Sequence, residues 1–246
     1  MVLFCAAFSL ENLLKRRKYY EILYLLVFMG ITFMLVAKIN ILLLLVLIGC
    51  MILFRSQLFN YKQKAVLLLT FILTCIVLII YVPGLKNRFV EILNSYNKPP
   101  TGVAHDSTNI RIAIVSCSAE IAKENYVFGV GFDKLQDTLD ECYKANYNSN
   151  FYETIKYMTH NYFAYIFLSA GIFGLIAFLF YCYKSLRIIL KVNRFLLYIM
   201  VSNIFIICFT EDFFYRHYGI FFYQLIFMTF VNAYLAQKEE KNTAIS

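Results

Sequence analysis

Apolar runs alternate with short polar interruptions along most of this chain, and the run lengths set the first expectation. Charge-free stretches lie at about 22–37, 41–54, 65–82, 161–183, 195–209 and 218–235. The longer ones reach the roughly 20 residues that a helix needs to cross a hydrocarbon core. Six transmembrane helices are therefore predicted. Residues 1–10 are apolar but too short to span, and they read as the end of a partial first span. They have neither a basic n-region nor a small-residue cleavage site, so no signal peptide is expected. Between 85 and 160 the apolar pattern gives way to one large polar segment. The expected organisation is membrane helices in 1–84, a loop at 85–160, three further helices in 161–236 and a polar tail at 237–246.

Within the loop, Asp106, Ser107 and Thr108 are N-cap candidates before a breaker-poor stretch, predicting a helix over 109–124. Arg111 falls in its first turn, where a cation opposes the helix dipole and helix stability alone does not ask for one. Asn125 and Gly129-Val130-Gly131 predict a turn after it. The Tyr- and Asn-rich stretch 143–152 reads as irregular, and a second short helix is expected over 151–158.

Composition sharpens the class. Hydrophobic residues are 61% and charged ones 15%, against about 45–50% and about 25% in soluble domains. This predicts an all-α polytopic membrane protein. Trp is absent, so Tyr and Phe must supply any interfacial belt. The net charge of +8 does not point to nucleic acid, because the basic residues sit mostly in short loops beside apolar runs. The loops at 11–18, 55–64 and 184–194 and the tail carry them and are expected to be cytoplasmic. The hairpin at Lys38, the 85–160 loop and the turn at 210–217 then share the opposite, extracytoplasmic side. Of seven Cys, Cys117 and Cys142 lie in the long loop and could pair if it faces an oxidising space; their spacing matches no metal motif.

Candidate chemistry concentrates at the polar-to-apolar seams. His160 sits at the outer end of the predicted span at 161–183, at the depth of a lipid phosphate, with Asn161 beside it as a helix cap. Lys38 is more unusual, because it interrupts an otherwise apolar hairpin; a snorkelling turn lysine is the structural alternative. Gly129 and Gly131 are turn residues without the third glycine of a nucleotide fingerprint. Gly171 and Gly174 suggest close packing. Taken singly, each has a structural explanation.

Their order carries more. A basic residue closes an upstream span (Ala37-Lys38), and a large loop carries Arg111 before Phe128-Gly129-Val130-Gly131. The loop closes on His160-Asn161-Tyr162-Phe163, and the next span holds Gly171-Ile172-Phe173-Gly174. Over about 22–190 this resembles the carboxy-terminal half of the O-antigen ligase and O-antigen polymerase superfamily. Ala37 stands where the family usually shows serine, and the family has about twice as many spans, so the chain reads as short at its N-terminus. The resemblance implies a GT-C-like glycosyltransferase architecture in the bacterial inner membrane, with the long loop facing the periplasm or exterior. It implies transfer of a glycan from a polyprenyl-diphosphate carrier to a lipid A core sugar (ligase) or to another repeat unit (polymerase), with no metal or other cofactor. His160 and Arg111 are the candidate catalytic residues. Lys38, Arg111, Asn161, Gly129 and Gly131 are the candidate substrate-binding residues. His160 serves either as the base that activates the acceptor or as a phosphate ligand. The competing expectation is a non-catalytic membrane protein, either an inactive fragment or part of a polysaccharide or lipid transporter; against it, intramembrane charge is scarce and no inverted repeat is visible.

Overall fold

The computed structural model describes residues 5–9, 11–12, 20–34, 60–62, 65–66, 69, 72–73, 90, 94, 107–192 and 195–243. Every regular element among these is helical, as the all-α reading expects. The predicted span at 41–54, most of that at 65–82, and Lys38 lie outside the described residues. The chain divides into two compact units, Met1–Phe89 with Tyr198–Asn203, and Val90–Leu197 with Ile204–Ser246. In the first, helix α1 covers Glu21–Met34. Its Leu23, Leu26 and Val27 are exposed, whereas Glu21 is buried and accepts a hydrogen bond from Asn12 Nδ2 at 3.1 Å.

The second unit holds α2 (Ser107–Glu124), α3 (Leu135–Asn146), α4 (Tyr162–Val192) and α6 (His217–Thr243). Helix α5 (Phe195–Cys208) precedes a short 3-10 turn at Phe213–Tyr215. Among the described residues two helices, Tyr162–Val192 and His217–Glu240, are long and apolar enough to cross a membrane, and Leu196–Cys208 is a shorter apolar helix. Both long helices outrun the predicted spans into charged sequence. The first continues past Lys184, Arg187 and Lys191, and the second past Lys238 and Glu239. Helix formers continue a helix beyond the apolar stretch, so charge marks where the hydrocarbon ends rather than where the helix does.

A small core ties the polar segment to the top of α4. From α2 come Ile110, Ala113, Ile114, Cys117 and Ile121, one face of a helix at spacings of three and four. Helix α3 adds Leu135, Leu139 and Tyr143, and α4 adds Tyr165, Ile166 and Leu168. Ile114, Leu135 and Leu139 are at most 1% exposed, and each contributes about 1.5–3 kcal/mol by leaving water. The predicted helix at 109–124 is thus found, beginning at Ser107. The one expected at 151–158 is not: those residues form turns and irregular chain. The reason is aromatic packing, since Phe151 and Tyr152 bring their rings to 5.2 and 5.8 Å from the buried Tyr143, and Tyr157 reaches Phe151 at 5.8 Å. Tyr143 also donates its hydroxyl to the Tyr157 carbonyl at 3.3 Å. Burial, with Asp140 nearby, pushes that phenol well above its ordinary pKa, so it stays a donor.

Cys117 and Cys142 form a disulfide between α2 and α3, closing 25 residues of chain. A loop of that length stabilises the folded state by about 3 kcal/mol in the chain-entropy picture. Replacing either cysteine by serine is expected to lower the unfolding free energy of this segment by about 2–4 kcal/mol. Limited proteolysis between α2 and α3 checks this; equal resistance in the variant and the parent contradicts it.

Helix α4 is broken. Gly171 takes φ 63° and ψ −163°, far from helical values, so the turn around it cannot close its own hydrogen bonds. The segment after α2 fills the gap. Val130 N–H donates to the Leu168 carbonyl at 2.8 Å, Gly131 N–H to the Ser169 carbonyl at 2.9 Å, and Ile172 N–H to the Tyr126 carbonyl at 2.9 Å. A Cβ on Gly171 would lie 2.0 Å from the Val127 carbonyl oxygen, and one on Gly129 2.5 Å from the Ser169 carbonyl carbon. Two glycines therefore let two backbones touch. The close packing expected at Gly171 is present, and its partner is this loop.

Candidate functional site

The site forms where the α3–α4 connection meets the turn between α5 and α6. Asn161 caps α4: its Oδ1 accepts the N–H groups of Phe163 at 3.0 Å and Ala164 at 3.1 Å. Immediately before it, His160 adopts φ 47°, a left-handed conformation uncommon for a residue with a Cβ. Such backbone costs on the order of 1–3 kcal/mol and persists only where its surroundings fix it. Here Asp212 does so. Its buried carboxylate accepts the His160 N–H at Oδ2 (3.0 Å) and the Thr159 hydroxyl at Oδ1 (2.6 Å).

The neighbouring Glu211 gathers the charged groups. His160 Nδ1 lies 3.5 Å from Glu211 Oε2. The separation is at the outer limit of a hydrogen bond, and the buried Nδ1 makes none of ordinary geometry. Arg111 Nη2 reaches Glu211 Oε1 over 3.4 Å, and Nη1 donates to the Thr210 carbonyl over 3.3 Å. Arg111 and Glu211 are 100 residues apart in the chain. The His160 imidazole, with the Arg111 and Arg216 cations, holds the Glu211 carboxyl below its usual range, against the burial that raises it. Arg111 keeps 42% of its side chain exposed, so it can still meet an anionic ligand. The Tyr157 ring flanks His160 at 6.2 Å.

Of the residues singled out in the sequence, Arg111, His160 and Asn161 stand together. Gly129 and Gly131 lie on the seam with α4, and the N–H of each has a backbone partner, the Asn125 and Ser169 carbonyls respectively. Lys38 is outside the described residues. Glu211 and Asp212 were missed. The available signal was topological: two adjacent carboxylates in a turn expected on the same side of the membrane as His160. Elsewhere, Cys117, Glu120 and Cys142 bring three potential metal-ligating atoms within 4.8 Å. Both sulfurs are engaged in the disulfide, which removes the thiolates a metal would require.

Comparison with known families gives a match to O-antigen ligase over residues 22–179. The chain belongs to the O-antigen ligase family. The match runs from α1 into α4 and includes Arg111, the Gly129–Gly131 segment, His160 and the break at Gly171; the Glu211–Asp212 turn lies beyond it. No curated protein and no solved structure matches the chain. An O-antigen ligase-type function in polysaccharide synthesis follows from membership, and the apolar helices α4 and α6 suit the membrane location the family suggests.

The Glu211 environment carries a pH dependence. A carboxylate whose folded pKa lies below its unfolded value contributes stability above the unfolded value and loses it as pH falls through the folded one. The Arg111–Glu211 ion pair thus contributes stability at neutral pH that is lost as acidification carries Glu211 through its lowered value, below the ordinary carboxylate range. Glu211→Gln, uncharged at every pH, is expected to abolish this acid transition. Titrating His160 by NMR in the parent and the variant checks it; an unchanged transition places the responsible group elsewhere.

Proposed function

We propose that this protein is a membrane glycosyltransferase of surface-polysaccharide (O-antigen or capsule) synthesis, taking a glycan from a polyprenyl-diphosphate carrier at the outer face of the bacterial inner membrane. The acceptor is a hydroxyl of a lipid A core sugar or of another repeat unit. The observation that carries the reading is the convergence of Arg111 and His160 on the Glu211–Asp212 turn.

The chemistry follows from the charges. Breaking a sugar–diphosphate bond leaves negative charge on the diphosphate, and a guanidinium with free donors stabilises it in a water-poor site. Arg111 fits that role, because its long contacts to Glu211 and Thr210 are readily exchanged for phosphate oxygens. Lys38, expected on the same side of the membrane, would supply a second cation. For His160 the geometry favours the base over the phosphate ligand. An anionic Glu211 beside Nδ1 repels a phosphate there and stabilises the imidazolium formed when the other nitrogen, Nε2, takes the acceptor's proton. Asp212 acts through the backbone by fixing the left-handed His160, and Gly129 and Gly131 act by joining their segment to α4. The Cys117–Cys142 disulfide supports an extracytoplasmic site, since such bonds persist in oxidising compartments.

The test is a gel of surface glycans and lipid-linked intermediates from cells with and without the gene. Long carrier-linked chains left unattached identify a ligase, and single repeats accumulating on the carrier identify a polymerase. An unchanged profile overturns the transferase reading in favour of a non-catalytic membrane protein.

A further inference from the structure

Tyr165 joins two rings that folding leaves in the open. It is buried in the first turn of α4, and its N–H donates to the Asn161 carbonyl at 2.9 Å. The Phe132 ring, just past Gly131, leans on it at 5.7 Å. The Tyr215 ring, in the 3-10 turn that follows Asp212, leans on it at 5.4 Å. Phe132 and Tyr215 nevertheless keep 55% and 53% of their surface exposed. A single exposed ring needs no explanation. Two that converge on one buried tyrosine make an apolar patch, and a patch rimmed by polar groups marks a binding surface.

The rim here is charged. Asp133 and Lys134 follow Phe132, and Arg216 follows Tyr215; all three are exposed. Charge of this density is costly against hydrocarbon, so the patch faces water rather than acyl chains. Arg216 gives one N–H to Tyr218 Oη at 2.9 Å and has further donors in its fork. Lys134 adds donors and Asp133 acceptors. Flat apolar rings beside both kinds of partner suit a pyranose. Its C–H groups rest on the electron-rich ring faces, and its hydroxyls reach the charged rim. The patch also borders the site: Tyr215 N–H donates to the Asp212 carbonyl at 3.1 Å, and the Asp212 carboxylate holds the His160 N–H at 3.0 Å. From this geometry we propose that Phe132 and Tyr215 form a stacking platform for a pyranose unit of the glycan that is transferred or of the acceptor. The inference rests on the glycosyltransferase reading and adds a sugar subsite to it. Tyr215 and Arg216 lie beyond residues 22–179, so the family match does not supply that subsite.

Because the chain has no Trp, single indoles report on the platform while keeping a ring in place. Phe132→Trp, Tyr215→Trp and, on the exposed apolar face of α4, Phe180→Trp are prepared separately in nanodiscs with or without brominated phosphatidylcholine. Oligosaccharide repeat units and lipid A core oligosaccharide from the same cells are titrated in turn. Phe132→Trp and Tyr215→Trp are both expected to shift saturably to shorter wavelength with one of these sugars, and Phe180→Trp to stay unchanged. Failure of either platform position to shift with both sugars overturns the proposal. Bromolipid quenching at both as strong as at Phe180→Trp makes the rings an interfacial belt and also overturns it. In transfer assays Phe132→Ala and Tyr215→Ala are expected to raise one KM several-fold with little change in kcat, and Tyr215→Phe to keep the parent's KM. A raised donor KM places the carrier-linked glycan on the platform, and a raised acceptor KM places the acceptor there; two unchanged KM values overturn it. Saturable shifts in a protein that transfers nothing retain the platform and remove the transferase reading. Transfer without shifts does the reverse.

Discussion

Replacing His160 by alanine is expected to lower glycan transfer by about 10²–10⁴-fold, the usual contribution of a positioned general base. Arg111→Ala is expected to cost about 10²–10³-fold, the scale of one donor removed from a developing anion. Neither side chain belongs to the core between α2, α3 and α4, so both variants should accumulate in membranes as the parent does. The two losses should differ in kind. Without Arg111 the carrier binds less well and the leaving group is less stabilised, so KM rises and kcat falls; Arg111→Lys should recover little, because an ammonium lacks the planar fork. Without His160 the carrier still binds, and the loss falls on kcat. Transfer measured on purified, reconstituted protein with a lipid-linked donor separates these outcomes. Full activity in both variants means that the chemistry happens elsewhere.

The sequence made half of this site legible. His160 stood out because it lies at the seam between a polar loop and a long apolar run, and Arg111 because a cation in a helix's first turn needs another reason to be there. Glu211 and Asp212 did not stand out, since two acids in a short turn look like solvated ends of helices. Only folding reveals that Asp212 is buried and bonded to the His160 backbone. Helix α3 was similarly obscured: Leu135, Leu139 and Tyr143 recur every four residues, but the stripe is one residue wide among seven polar neighbours. The helix expected over 151–158 failed for the complementary reason. Local text permitted it, and the packing of Phe151 and Tyr152 on one buried tyrosine, with Tyr157 against Phe151, overrode it. The break in α4 was half visible. Glycines at 171 and 174 announced a close approach, but sequence alone could not say that the approaching backbone was the Gly129–Gly131 segment some forty residues earlier.

That seam predicts the largest effect on stability. Gly171→Ala is expected to leave almost no folded protein. Its φ of 63° and ψ of −163° lie in a region essentially reserved for glycine and cost an L-residue about 1–3 kcal/mol, and the new Cβ would lie 2.0 Å from the Val127 carbonyl oxygen. The obstacle is backbone, so it cannot swing aside. Relief requires moving the loop, which breaks the bonds joining Tyr126, Val130 and Gly131 to α4. Each is worth about 0.5–1.5 kcal/mol. The total is about 3–7 kcal/mol, beyond what most substitutions cost and comparable with the margin of a marginally stable fold. Gly129→Ala, opposed by the backbone of Ser169 and Ala170 at 2.5 and 2.6 Å, should be nearly as damaging. Gly131→Ala meets only the Asp133 carboxylate at 2.8 Å, a side chain free to turn, and should be milder despite its φ of 95°. Protease-resistant yield in membranes orders the three. If Gly131→Ala proved as damaging as Gly171→Ala, positive φ alone would explain both, and the contact between loop and broken helix would carry no special weight.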